Sequence, residues 1–193
     1  MRVISGRFRG RRLQAPPGRD VRPTLDRVRE SIFDLTWVHP MGGRALDVFA
    51  GTGALGIEAL SRGAEHVTFV EHDARVARVL QDNLAHVQAE PSSWRLLRLP
   101  ANRALAHVQA PIDLVLADPP YRQGLAEALL VDLASHAALL APEAVVVLET
   151  ESGGLPFDER SGFLVAFRRR YGDSEVTVWT RAAETPQASR EVS

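Results

Sequence analysis

The sequence contains no cysteine and no lysine. Without cysteine there can be no disulfide, zinc–thiolate site, iron–sulfur cluster or thiolate nucleophile. The six histidines (39, 66, 72, 86, 107 and 136) follow no metal-ligand spacing, so no metal is expected. No apolar run approaches the length of a membrane span, and the N-terminus lacks the apolar core of a signal peptide. A cytoplasmic protein without membrane contact is therefore expected. With lysine absent, all 23 basic residues are arginine, against 24 acidic ones, for a net charge of −1. Bulk electrostatics alone will not bind a polyanion.

The distribution of that charge is uneven. Residues 1–30 hold nine arginines against Asp20, Asp26 and Glu30, a balance of +6 that leaves about −7 on the remainder. Residues 1–22 alternate arginine with apolar residues, punctuated by Gly6, Gly10 and Pro16-Pro17, which suits a short hairpin or extended arm with one basic face. A guanidinium fork matches phosphate oxygens, so Arg7, Arg9, Arg11 and Arg12, with Phe8 among them, are candidate nucleic-acid contacts. A helix is expected over residues 22–36, with Thr24 as N-cap and an apolar stripe of Leu25, Val28, Ile32 and Leu35. Arg22 and Arg27 lie off that stripe and join the candidates. At 193 residues, 45% hydrophobic, the rest reads as one domain over 23–181. Residues 182–193 lack apolar pattern and are expected to form a disordered tail.

That domain is organised around Arg44 to Glu58, RALDVFAGTGALGIE. A buried strand, Ala45 to Phe49, runs into Gly51-Thr52-Gly53, and a helix starts at Ala54. Gly51, Gly53 and Gly56 fit G-x-G-x-x-G, which lets backbone N–H groups approach a polar ligand closely. Such a loop often holds a dinucleotide. Asp47, four residues before Gly51, argues otherwise: a carboxylate there is awkward beside a pyrophosphate and suits a ligand carrying an amine and a sulfonium. S-adenosylmethionine is the expected cofactor, unless Asp47 merely hydrogen-bonds the loop backbone. The next strand, His66 to Val70, ends on Glu71, placed to accept both ribose hydroxyls. A helix capped by Asp73 (74–87) and a third strand (94–99) follow, and the adenine contact is expected from Asn102 or from backbone alone. An NAD-linked oxidoreductase fits the glycines and Glu71 but explains neither Asp47 nor the next motif. A non-catalytic RNA-binding protein fits the basic arm and predicts no cofactor affinity.

A fourth strand, Ile112 to Ala117, delivers Asp118-Pro119-Pro120-Tyr121 at its C-terminal end, where open parallel sheets bind ligands. The prolines stiffen the backbone. Asp118 and the Pro119 carbonyl can accept the protons of an exocyclic amine, while Tyr121 stacks on the base that carries it. Methyl transfer at a ring carbon of a pyrimidine, which usually needs a thiolate, is disfavoured. Beyond this lie an expected helix (123–140), a fifth strand (144–149), and two strands (163–171 and 175–181) flanking Gly172-Asp173.

The order RVISGRFRGRRL, RPTLDRVRESIF, LDVFAGTGALGIEALSRGA, VEHD and DPPY resembles the bacterial small-subunit ribosomal RNA guanine-N2 methyltransferase family, which acts on guanine 966 of 16S rRNA. The resemblance spans roughly residues 1–181. It implies an α/β, Rossmann-like class I methyltransferase fold with an open, mostly parallel seven-stranded sheet, its last strand antiparallel. It places the cofactor on Asp47, Phe49, Gly51, Thr52, Gly53 and Glu71, the catalytic claw on Asp118 to Tyr121, and rRNA on the arm. It implies a 16S rRNA or small-subunit partner, free or in an assembly intermediate; a monomer is expected. Ala101-Asn102 departs from the family, where an Asp commonly reads the adenine. Adenine-N6 or cytosine-N4 DNA methyltransferases and protein glutamine-N5 methyltransferases share the claw. The former usually carry a larger target-reading domain, and the latter favour Asn at the position of Asp118.

Overall fold

Runs of branched and apolar residues with little polar alternation make strands buried on both faces, and four such runs assemble in parallel here with a fifth, half-exposed strand at the edge. In the computed structural model, which describes residues 1–15, 29–30, 32–33 and 42–182, they are β1 (Arg44–Val48), β2 (His66–Val70), β3 (Trp94–Leu97), β4 (Ile112–Ala117) and β5 (Leu140–Glu151). Three antiparallel strands complete the sheet: β6 (Glu159–Arg160), β7 (Phe163–Tyr171) and β8 (Ser174–Arg181). The helices are α1 (Ala54–Ser61), α2 (Ala74–His86), the single turn α3 (Ala101–Ala104) and α4 (Leu125–Ser135). The strand order is β3-β2-β1-β4-β5-β8-β7-β6. It reverses between β1 and β4, so Asp47 and Asp118 emerge side by side at the switch point, where a crevice forms.

The sheet has eight strands among the described residues, not seven. The extra one, β6, is two residues long and pairs Glu159 with Leu164 and Arg160 with Phe163. Ser161 and Gly162 join it to β7 with positive φ of 52° and 78°, the backbone that a two-residue hairpin requires. The fifth strand also starts earlier than expected. Ile112 pairs with Leu140 and Leu114 with Val145, so a register shift absorbs Ala141 to Ala144 and leaves Pro142 in an irregular stretch, where a strand tolerates it. The preceding helix is correspondingly shorter than residues 123–140. It begins after Gly124 in the left-handed region (φ 68°), ends at Ser135, and passes through a 3₁₀ turn at Ala137–Leu139. The third strand stops at Leu97 rather than Leu99.

Each face of the sheet buries its own core. Ala45, Val67, Leu114 and Val147 pack with α1 and α2, and Leu46, Val115, Val146 and Trp179 pack with α4. Gly56 is obligatory in the first layer. A Cβ there would stand 2.3 Å from Phe69 Cε1 and 2.9 Å from Asp47 Oδ2, so α1 lies against β1 and β2 as only glycine allows.

The basic N-terminal segment belongs to this layer. Residues 1–15 form a hairpin with one bridge, Arg2 to Arg12, whose Val3, Phe8 and Leu13 join the α1 core cluster. Glu58, fully buried on α1, receives the N–H groups of Ile4 (2.8 Å) and Ser5 (3.0 Å) and the Arg62 Nε–H (2.8 Å). Arg7 N–H donates to the Ser61 carbonyl and Phe8 N–H to Ser61 Oγ. Gly6 has φ 78°, and a Cβ there would fall 1.8 Å from the Ser61 carbonyl oxygen. Gly6→Ala is therefore expected to cost about 2–3 kcal/mol and to lower Tm by roughly 8 °C. Calorimetry measures the loss, and trypsin cleavage at Arg7 and Arg9 shows whether the hairpin has left α1.

Of the helix expected over residues 22–36, Arg29, Glu30, Ile32 and Phe33 are described and helical. Arg22, Arg27 and residues 183–193 lie outside the described residues.

Candidate functional site

The site is the ligand end of β1, β2 and β4. β1 turns sharply at Phe49, which holds φ 62°, a left-handed backbone uncommon for a non-glycine residue and typical of constrained loops at sites. Gly51 (φ 55°) and Gly53 (φ 83°) continue in the same region. Two carboxylates shape this loop from beneath. Asp47, 1% exposed, accepts the Gly56 N–H at 2.8 Å through Oδ2. Glu71 accepts the Gly51 N–H at 3.0 Å through Oε2 and the Asp73 N–H at 2.8 Å through Oε1. Asp73 caps α2, its Oδ1 accepting from Arg75 and Val76. Thr52 is buried, and its carbonyl accepts from Asn83 Nδ2 at 2.9 Å.

Electrostatically the pocket of the loop is an anion-rich place. Burial pushes the Asp47 carboxyl up from 3.8 to about 7; the Gly56 N–H opposes this, and the nearby Asp118 and Glu71 charges add to the rise. A buried carboxyl that resists ionisation beside two other acids fits a ligand that brings positive charge. A sulfonium with an α-ammonium group meets that requirement, and a pyrophosphate does not.

Asp118 is half-buried at the end of β4, followed by buried Pro119, exposed Pro120 and half-buried Tyr121. The Tyr121 hydroxyl lies 3.0 Å from Ser174 Oγ, and Arg122 Nε lies 2.9 Å from Glu151 Oε2. Glu151 and Ser174 are themselves a register pair of β5 and β8. The loop after the prolines is thus held at two points, by the end of β5 and by the start of β8. Neither Ser174 nor Glu151 was expected from the sequence. Their pairing depends on the antiparallel register, for which the only sequence signal is the turn at Gly172-Asp173.

The remaining candidates separate. Asn102 is exposed on the first turn of α3, after Pro100. Arg2, Arg7, Arg9 and Arg12 are exposed and Arg11 is half-buried, but Phe8 is 5% exposed beneath the guanidinium groups of Arg7 (4.6 Å) and Arg11 (5.4 Å). Phe8 therefore serves the core and is not presented for stacking. Arg11 Nη1 also donates to the Val87 carbonyl. The hairpin lies along α1, with Met1 at Thr52 and Arg7 at Ser61. Since α1 runs back from the ligand end for eight residues, the Arg7–Arg9 tip stands about 12 Å along the helix axis from the loop. Among the described residues no group of three or more His, Cys, Asp or Glu side chains could hold a metal ion. No described helix is long and apolar enough to cross a membrane.

A reversed-order parallel sheet ending in an antiparallel hairpin, with a glycine loop over acidic strand ends and a D-P-P-Y turn at the switch point, is the fold of the class I methyltransferases. The family model described as conserved hypothetical protein 95 matches residues 1–180, and the chain belongs to that family. It is 42% identical over 159 residues to the ribosomal RNA small subunit methyltransferase D of Escherichia coli strain K12, covering 81% of this chain and 78% of that protein. It is 40% identical over 159 residues to the protein of the same name from Haemophilus influenzae, covering 78% and 79%. The solved structure of YhhF from Escherichia coli superposes with a TM-score of 0.80 at 35% identity, covering 95% of this chain and 99% of that one.

Proposed function

We propose that the chain transfers a methyl group from S-adenosylmethionine to the exocyclic N2 amine of a guanine in 16S rRNA of the small ribosomal subunit, guanine 966 by family resemblance. The observation that carries this is the juxtaposition of Asp118-Pro119-Pro120-Tyr121 with the Asp47–Glu71 pocket at one switch point. The relatives' names supply the substrate class. Cofactor, when bound, supplies an electrophilic methyl on sulfur. The chain's residues do the rest. Asp47 and the Gly51-Thr52-Gly53 loop face its charged end, Glu71 its ribose, and Phe49 and Asn102 border it.

Asp118 and the Pro119 carbonyl accept the two amine protons and so aim the nitrogen lone pair, which the ring would otherwise delocalise. The new N–C bond forms as the C–S bond breaks, with its electron pair remaining on sulfur. Alkylation makes the nitrogen strongly acidic, so its proton can leave afterwards to Asp118 or water. Positioning therefore supplies most of the rate. Tyr121 stacks on the base, worth about 1–3 kcal/mol. The base must leave its stack to reach the claw, which favours a loop nucleotide. Arg7, Arg9, Arg11 and Arg12 then meet phosphates some way from the claw, with Arg22 and Arg27 as further proposed contacts. That separation suits a structured RNA or an assembling particle in the cytoplasm better than a short oligonucleotide.

The Tyr121–Ser174 contact gives an internal test. Tyr121→Phe and Ser174→Ala should each raise KM for RNA about fivefold with little change in kcat, the worth of one hydrogen bond. The double variant should be no worse than either single one, because both remove the same interaction. Additive losses would show that the two residues act separately.

The reading as a whole is tested with tritiated S-adenosylmethionine offered with undermethylated small-subunit particles, naked 16S rRNA and duplex DNA, followed by nucleoside analysis. N2-methylguanosine in rRNA is the expected product. Label only in N6-methyladenine or N4-methylcytosine of DNA would overturn the substrate and keep the claw. Label only in protein glutamine would do the same.

A further inference from the structure

One side chain joins the hairpin that carries the arginines to the loop that faces the cofactor. Asn83 of α2 is fully buried. Its Oδ1 accepts the Gln14 N–H at 2.7 Å, and its Nδ2 donates to the Gln14 carbonyl at 3.1 Å and the Thr52 carbonyl at 2.9 Å. Both amide protons are committed, one to the hairpin and one to the loop. The peptide plane that follows Thr52 is pinned at its other end too, since the Gly53 N–H donates to the Ala50 carbonyl at 2.8 Å. Met1, whose carbonyl accepts the Leu13 N–H at the open end of the hairpin, brings its Sδ to 3.8 Å from Thr52 Oγ1. The open end of the hairpin therefore lies at the cofactor loop, and its tip at Ser61. Aspartate at position 83 would set a charge against two carbonyls. Leucine would leave those carbonyls and the Gln14 N–H without this partner.

We propose that Asn83 is a positioning residue that couples RNA binding on the hairpin to cofactor binding in the loop. The inference rests on the methyltransferase reading, with RNA on Arg7, Arg9 and Arg12. A two-stranded hairpin is marginal on its own, and this one, with a single bridge, is held by its contacts with α1 and α2. Docked and undocked hairpin are the two states that a ligand can bias. Docking sets the arginines for RNA, because the Arg7 guanidinium lies over Phe8, whose ring is buried in the α1 cluster. RNA that grips the docked hairpin keeps Gln14 on the Asn83 amide, in the orientation that also holds the Thr52 carbonyl. The loop then meets cofactor already formed. Cofactor that orders the loop holds the same amide for Gln14, and by linkage the two effects are equal in size.

The test uses the full chain, S-adenosylhomocysteine and naked 16S rRNA. In the wild type, saturating RNA should tighten S-adenosylhomocysteine binding about tenfold, and saturating S-adenosylhomocysteine should tighten RNA binding by the same factor. Asn83→Ala should bring both factors close to one. A merely structural role predicts something else: weaker binding or a lower Tm, with the coupling factor unchanged. Hydrogen exchange on the wild type needs no variant to fold. S-adenosylhomocysteine alone should slow exchange of the Ile4, Ser5 and Gln14 N–H groups severalfold. Independent binding of the two ligands, unslowed exchange at Gln14, or tenfold coupling retained in Asn83→Ala would each overturn the inference and leave the methyltransferase reading standing. Failure of that reading looks different. A wild-type protein that binds neither S-adenosylhomocysteine nor RNA would sink it, and this inference with it. Coupled binding without methyl transfer to rRNA would sink the acceptor and keep the coupling.

Discussion

Asp118→Ala is expected to slow methyl transfer about 10³-fold while leaving cofactor affinity near the wild-type value. The magnitude is that of removing one preorganised polar group aimed at the reacting centre. Asp118 is placed for it at the end of β4, half-buried and followed by two prolines that prevent the loop from relaxing around a smaller side chain. Asp118→Asn keeps an acceptor oxygen in the same place but loses the charge, so it should retain more activity than alanine. That ordering separates positioning from proton abstraction, because an amide cannot act as a base. A secondary effect follows from the neighbourhood. The Asp118 charge helps to raise Asp47, so its removal should lower the Asp47 value and move any pH dependence of cofactor binding downwards. Single-turnover rates and calorimetric cofactor titrations measure the two quantities independently. Unchanged turnover in Asp118→Ala would remove the carboxylate from the mechanism.

What the sequence made legible was local. The β1–loop–α1 unit, the acidic end of β2, the Asp73 cap and the strand before Asp118 all follow from periodicity and short-range chemistry, and the structure places them within a residue or two. The misses depend on tertiary register. A two-residue strand such as β6 has no period to detect. The early start of β5 needs a bulge opposite Ile112 and Leu114 to accommodate Pro142, which no propensity reveals. The tether of Tyr121 to Ser174 spans 53 residues, and only the β5–β8 register brings it about.

The basic arm shows a different limit. Its arginines were readable as a charged face. Its anchoring was not, because Glu58 and Asn83 look like ordinary polar positions of amphipathic helices. In the structure both are fully buried and accept backbone N–H groups of the hairpin: Ile4 and Ser5 at Glu58, Gln14 at Asn83. Phe8 was grouped with the arginines by proximity in sequence, yet it faces the core. Alternation within so short a hairpin does not say which side is covered until α1 is there to cover it.

Asp47→Asn is expected to stabilise the cofactor-free protein at pH 8 and to weaken cofactor binding about 100-fold. The carboxyl stands near 7 in the folded protein against 3.8 as its ordinary value. Between those values the folded state binds more protons than the unfolded one, so the stability this group contributes is fully present below about pH 4. It declines as pH rises towards 7 and is level above that. The whole excursion is about 4 kcal/mol. Asparagine keeps an oxygen for the Gly56 N–H and cannot ionise, so the variant should gain about 2–4 kcal/mol at pH 8, or roughly 5–10 °C in Tm. Its advantage should vanish near pH 4.

Cofactor binding should show the opposite trend. A cation placed beside Asp47 favours the ionised form, so binding below pH 7 expels a proton and affinity rises up to tenfold per pH unit before levelling. Titrations in two buffers of different ionisation enthalpy would count that proton, and Asp47→Asn should release none. A variant that is destabilised at pH 8 and binds cofactor normally would reduce Asp47 to a cap on the loop. The expected pair of outcomes has one physical source: a fold that holds a carboxylate out of water carries that cost until a cationic ligand offsets it.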